Sequence, residues 1–289
     1  MMREVTIDIA IGRVYGLRQG EAGQPKVLAL HGWLDNATSF VPLAAHLPGI
    51  ELVAIDLPGH GRSAHLPAGA DYSFAGAMHN VLDVADALGW ERFTLLGHSM
   101  GAGIASLVAA ACPERIARLV AIEALGALPE TAGNTVPRIR KALAAGRRPG
   151  QRLRVFTELD TPVRARTLAR IGTIGEASAQ LLVERGVREV RVDDARAGWE
   201  WSSDPRLMLP TMVRMTEEQV RALVAGIECP TKVVYADPPQ SYLPEPRRSE
   251  HVALLPRGEM VVLAGGHHLH MDRPAEVAAA IADFLRRED

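Results

Sequence analysis

"TLLGHSMGAG" occupies Thr94–Gly103, and the way this stretch folds decides the architecture. Phe93–Leu96 is short, apolar and partly aromatic, the composition of a buried strand. Ile104–Cys112 is rich in Ala, Leu and Val, the composition of a packed helix. Only a tight turn can join them, and Gly97 and Gly101 tolerate the close approach such a turn forces. The residue at its tip, Ser99, is then held in a strained conformation with its side chain presented, the G-x-S-x-G arrangement of a nucleophile elbow. The His98 side chain points away from such a tip and is expected to pack structurally, not to act as a base.

Outward from this turn the chain alternates strands and helices. Glu4–Leu17 reads as a β-hairpin. Lys26–Leu30 ("KVLAL") is a strand, Asn36–Leu47 a short helix and Glu51–Ile55 ("ELVAI") another strand. Ser73 caps a helix running to Leu88, with Gly89 at its end. Arg118–Glu123 ("RLVAIE") is the strand after the Ser99 helix. This alternation predicts an α/β protein with a mostly parallel sheet covered by helices on both faces. Gly126–Glu228 is different in character, with helical stretches at Pro137–Ala145, Pro162–Ile171, Glu176–Arg185 and Glu217–Gly226. It reads as an inserted helical cap. The sheet resumes at Lys232–Tyr235 and Met260–Leu263, and a last helix spans Pro274–Arg286. The expected division is a core of residues 1–125 and 229–289 with a cap of residues 126–228.

The 289 residues are 47% hydrophobic, which suits a single globular protein with a sizeable core. A net charge of −2 gives no basic footprint for nucleic acid. The two cysteines, Cys112 and Cys229, suggest neither a disulfide framework nor a metal site. The N-terminus alternates like a strand and lacks the apolar run of a signal peptide. No segment reaches the roughly 18 apolar residues of a membrane helix. A cytoplasmic protein acting on a small molecule, with no membrane insertion, is expected, and a homodimer is left open.

A serine nucleophile needs a base and a pair of donors for the oxyanion that forms. The base candidate is His267 in "AGGHHLHMDRP" (264–274), the first histidine after an apolar strand. His270 is read as a support or a surface residue, and His268 as either of these. The oxyanion donors are expected to be the N–H groups of Met100 and of Trp33, which follows the strand "KVLAL". His31 and His60 are expected to brace loops.

These pieces together resemble the α/β-hydrolase superfamily over nearly the full length: "LHGW" at 30–33, "DLPGHGRS" at 56–63, "GHSMG" at 97–101 and "GGHHLHMDRP" at 265–274, in the family's order. A narrower likeness, to the serine hydrolase-like subgroup, rests on "HGWLDNATSF" at 31–40, "GWEWSSDPRL" at 198–207 and "MTEEQV" at 215–220. The resemblance implies the α/β-hydrolase fold and a Ser/acid/His triad under a cap. Most relatives place the acid a few residues after the strand that here is "KVVY", but this chain continues "ADPPQSYLPE" (236–245), where the usual slot falls near Pro239. With that slot empty, Glu123 is the favoured acid, at a position where haloalkane dehalogenases resemble this arrangement with an acidic residue, and Asp237, about two residues early, is the alternative.

A serine at position 99 argues for acyl chemistry, with no metal or organic cofactor required. The leading expectation is hydrolysis of a small-molecule carboxylic ester or thioester through an acyl-enzyme. Perhydrolysis, carbon–carbon bond hydrolysis with the same triad, and a ligand-binding receptor on a hydrolase scaffold are the alternatives. Trp33 is also a candidate substrate contact. Trp199 and Trp201 either line the pocket or pin the cap to the core.

Overall fold

The computed structural model describes residues 2–146, 154–168, 174–191 and 197–287. The chain opens with the hairpin β1 (Arg3–Ile9) and β2 (Gly12–Gln19), paired from Arg3↔Arg18 to Ile9↔Gly12. Strand β3 (Lys26–Leu30) follows, then helix α1 (Val41–Ala44) and strand β4 (Glu51–Ile55). The helix expected over Asn36–Leu47 is split into a 3₁₀ turn, Ala37–Phe40, and α1. Pro42 has no N–H to return to the carbonyl four residues back, so an α-helix cannot run through this point.

Helix α2 (Phe74–Ala87) is capped by Ser73, whose Oγ accepts the Gly76 N–H at 3.1 Å. Strand β5 (Phe93–His98), helix α3 (Met100–Ala111) and strand β6 (Ile116–Ile122) come next. The inserted region holds α4 (Thr135–Gly146), α5 (Asp160–Thr167), α6 (Glu176–Gly186), β7 (Val187–Arg191) and β8 (Ala197–Trp201). Helix α7 (Glu217–Ala225), strand β9 (Thr231–Asp237), α8 (Arg247–Val252), β10 (Gly258–Ala264), α9 (Leu269–Asp272) and α10 (Pro274–Arg286) complete the chain.

Eight strands form one sheet in the order β1-β2-β4-β3-β5-β6-β9-β10. The pairs β1–β2 and β2–β4 are antiparallel, and all others are parallel. One core layer packs α2, α3 and α7 on one face, through Val84, Ile104, Val108, Val220 and Val224. The other packs the α1 and α10 side, through Phe40, Leu43, Val277, Ile281 and Phe284. With helices on both faces, β4 and β5 are buried along their whole length, which is why their sequences are predominantly apolar without alternation. The strand order reverses between β4–β3 and β5, so the crevice for a ligand lies at the C-terminal ends of β3 and β5.

Two expectations about the insertion need correction. The region is not helical throughout, because β7 and β8 pair as an antiparallel ribbon from Val187↔Trp201 to Arg191↔Ala197. Their sequences, VREVR and AGWEW, hold no apolar run, since the ribbon is only partly covered. Helix α7, assigned by sequence to the cap, buries Val220 and Val224 in the main core instead. The part of the expected helix Pro162–Ile171 that falls at 169–171 lies outside the described residues. Among the described residues no helix is long and apolar enough to cross a membrane.

Candidate active site

Ser99 sits between β5 and α3 with φ 51° and ψ −114°, a conformation that L-residues rarely adopt. Its N–H donates to the Ile122 carbonyl at 2.8 Å and its carbonyl accepts the Gly103 N–H at 3.0 Å, so strand and helix both hold it. The flanking glycines are required by space. A Cβ on Gly101 would fall 2.0 Å from the Leu30 carbonyl oxygen, and one on Gly97 would fall 2.4 Å from Ala102 Cα. Among the described residues, the non-glycine residues with positive φ are Leu34, Ser99 and Glu123. They follow β3, β5 and β6, three neighbouring strands. Strain of this kind costs on the order of 1–3 kcal/mol per residue and gathers at functional sites.

Glu123 is 1% exposed, and its N–H donates to the Val234 carbonyl at 2.9 Å. Its Oε2 lies 3.1 Å from His267 Nδ1. Its Oε1 accepts the Ala236 N–H at 2.6 Å and lies 3.6 Å from Arg248 Nη2, which also donates to the Ala236 carbonyl at 2.8 Å. Asp237 ends β9 with its side chain exposed, and among the described residues it makes no hydrogen bond to His267. From the same segment, the Tyr242 hydroxyl reaches His267, 3.2 Å from Nδ1 and 3.5 Å from Nε2. Burial pushes the Tyr242 phenol up to about 12, so it keeps its proton. Among the described residues no hydrogen bond reaches Ser99 Oγ, and Ser99 is half-buried. Tyr242 and Arg248 escape a sequence reading because an aromatic hydroxyl in a proline-rich loop and an arginine in the short helix after it carry no motif.

Trp33 and Met100 follow the C-terminal ends of β3 and β5, which pair side by side with Leu30 opposite Gly97. Among the described residues neither N–H has a protein acceptor. The Trp33 ring is 50% exposed, and its Nε1 donates to the Leu207 carbonyl at 3.1 Å. This bond ties the turn after β3 to the segment "GWEWSSDPRL". In that segment Asp204 accepts the Tyr72 hydroxyl at 2.8 Å, and its N–H donates to the Gly59 carbonyl at 2.8 Å. Trp201 packs edge-on to Phe156 at 5.9 Å, under the Arg166 guanidinium at 5.8 Å, against the small core of the inserted region. The Trp199 backbone pairs with Phe156.

Beneath the site lies a group of buried imidazoles. His98 packs against His267, His268 and His270, with ring centroids 4.8, 5.1 and 4.1 Å away. Its Nε2 is 2.9 Å from the His267 carbonyl, so it supports the loop that carries His267. Burial, then the neighbouring imidazoles, push the His98 pKa well down. His270 is fully buried, 2.7 Å from Ser39 Oγ, and is not a surface residue. His31 accepts the Leu57 N–H at 3.0 Å and faces the Gly32 carbonyl at 2.7 Å, while His60 lies against it. Burial lowers these two to about 4 and about 3.

The sequence profile of the alpha/beta hydrolase fold matches residues 25–201. A serine hydrolase-like protein of Dictyostelium discoideum is 30% identical over 99% of this chain and 82% of its own length. The crystal structure of a hypothetical protein from Pseudomonas aeruginosa PAO1 superposes with TM-score 0.90 at 40% identity, covering 98% of this chain and 99% of that one. The thioesterase domain from the curacin biosynthetic pathway superposes with TM-score 0.82 at 28% identity, covering 98% and 99%.

Proposed function

The chain belongs to the α/β-hydrolase superfamily, in its serine hydrolase-like subgroup, and from that premise we propose that it hydrolyses a small-molecule carboxylic ester or thioester through an acyl-enzyme on Ser99. The observation that carries this reading is the strained Ser99, whose chain neighbour His98 packs on His267 at 4.8 Å, together with a buried carboxylate–imidazole pair, Glu123 Oε2 to His267 Nδ1 at 3.1 Å. With Nδ1 engaged by the carboxylate, Nε2 of His267 is the nitrogen left to take the Ser99 proton as Oγ attacks the acyl carbon. The tetrahedral oxyanion is received by the N–H groups of Trp33 and Met100. His267 then protonates the leaving alcohol or thiol, and next removes a proton from the water that cleaves the acyl-enzyme. Glu123 orients the imidazole and stabilises its cation, held for that task by Ala236 and Arg248.

The named thioesterase among the similar structures supports acyl chemistry. The expected cap of residues 126–228, less helix α7, which joins the main core, would then cover the acyl group and set chain-length preference. A panel of p-nitrophenyl esters and acyl thioesters of increasing chain length tests the reading. Turnover with a chain-length optimum is expected, falling by roughly 10³-fold or more in Ser99→Ala. Turnover that survives Ser99→Ala would refute it, as would no turnover across the panel by protein that a fluorophosphonate fails to label.

A further inference from the structure

Asp35 follows β3, His98 ends β5 and His268 follows β10, and the three meet in the interior. They are 4%, 0% and 7% exposed. Asp35 Oδ2 lies 3.2 Å from His268 Nε2 and 3.7 Å from His98 Nδ1, and one ligand atom from each residue falls within 4.8 Å of the others. The partner of His98 Nε2 fixes the tautomer. It lies 2.9 Å from the His267 carbonyl oxygen, and a carbonyl only accepts, so this nitrogen carries the proton. The neutral ring then turns a lone pair on Nδ1 toward a carboxylate oxygen. This Nδ1 is buried and has no hydrogen-bond partner among the described residues. Two acceptors facing each other 3.7 Å apart in a buried site are unfavourable, and a cation between them removes the conflict.

The surroundings have the form of a metal site's outer support. A metal-bound imidazole commonly donates its other N–H to a carbonyl or carboxylate, and a ligating carboxylate is itself hydrogen-bonded. His98 makes that bond to His267. Asp35 accepts Arg166 Nη1 on its other oxygen at 2.7 Å, and Arg166 also donates to the Leu34 carbonyl. Gly32 keeps the approach open, since a Cβ there would fall 2.9 Å from His98 Nδ1 and 3.0 Å from Asp35 Oδ2.

We propose that Asp35 Oδ2, His98 Nδ1 and His268 Nε2 bind one divalent transition-metal ion of the zinc class. The proposal does not depend on the reaction assigned above, and it departs from the sequence reading, which saw no metal site. Two imidazoles and a carboxylate are a donor set that zinc accepts. Metal–ligand bonds of about 2.1 Å in a tetrahedron separate donors by roughly 3.4 Å. The separations of 3.2 and 3.7 Å from Asp35 Oδ2 bracket that value. On binding, the proton that His268 Nε2 shares with Asp35 moves to His268 Nδ1, which is buried and has no hydrogen-bond partner among the described residues, so no net proton is released. A water fills the fourth position. The ion joins the segments that carry Trp33, Ser99 and His267, and its role is to hold them in register.

Untagged protein, grown with zinc and purified without chelator, should carry roughly one zinc per chain by mass spectrometry. Chelator-stripped protein should take up Co²⁺ with the visible spectrum of a four-coordinate site, and Zn²⁺ should raise its Tm. X-ray absorption at the zinc edge should show two imidazoles among nitrogen and oxygen donors. His268→Gln and Asp35→Asn should lose the metal, and Ser99→Ala should keep it. Less than about 0.1 zinc per chain with no cobalt spectrum in the wild type would overturn the site. So would a zinc that survives His268→Gln, which would put the ion elsewhere on the chain. If either variant fails to fold, wild-type stoichiometry and the absorption edge decide.

Discussion

Ser99, Leu34 and Glu123 share a feature that no helix or strand propensity would give them, a positive φ without glycine's freedom. Each is held there by the ordered ends of β3, β5 and β6. In the proposed triad, Glu123 supplies the acid from a different strand than usual. Its carboxylate meets His267 across 144 residues of sequence, while Asp237 stays exposed at the end of β9. Glu123→Gln is therefore expected to lower kcat by roughly 10²–10⁴, because the imidazole loses its orienting charge but keeps its shape. Asp237→Asn should cost less than about tenfold. Steady-state kinetics on both variants checks this, and the reverse order would assign the acid to Asp237.

At the scale of elements, α6 is fastened to the core by charge as well as by apolar contact. Arg185 is buried and reaches Asp56 with Nε 2.9 Å from Oδ1, and Glu4 with Nη1 2.6 Å from Oε1. Asp56 is fully buried and also accepts the Ala37 and Arg62 N–H groups. Arg185→Met would strand that carboxylate with two backbone donors only. The expected loss is about 3 kcal/mol, the low end for breaking a buried pair, read as a lower denaturant midpoint. The element assignments from sequence succeeded where burial was one-sided or complete, as in β3, β5 and α10. They failed for β7 and β8, whose charged residues pair in a ribbon that hides little apolar surface. They also mistook α7 for part of the insertion, because an amphipathic helix does not announce which core it joins.

Across the whole molecule the sheet gathers titratable groups into the buried interior. The buried imidazoles His31 and His60 are lowered to about 4 and about 3, mainly by burial. In the unfolded chain both titrate near 6.5. Between about pH 6.5 and 4 the unfolded state binds protons that the folded state refuses, so stability falls as pH falls through this window. Each of the two adds a slope of up to about 1.4 kcal/mol per pH unit. Thermal unfolding followed from pH 8 to pH 4 should show a steady decline in Tm that begins near pH 6.5. His60→Gln should make that decline shallower. A Tm that is flat to pH 4.5 would contradict the burial of neutral imidazoles.

The sequence by itself determined the strand–helix alternation, the tight turn at Ser99 and the loop carrying His267, because each is a local matter of apolar period, glycine spacing and chain order. It also favoured Glu123 over Asp237 as the acid, because the usual slot after "KVVY" is taken by a proline, but it could not show which carboxylate meets the imidazole, since both lie at strand ends. Only the tertiary structure brought Glu123 Oε2 to His267 Nδ1 and left Asp237 in solvent. The same holds for Asp35, His98 and His268, which come from the ends of three strands and have no common spacing in the chain. Parallel strands align their C-terminal ends whatever the length of chain between them. Residues distant in sequence therefore become neighbours through register, which is a property of the sheet and not of any one segment.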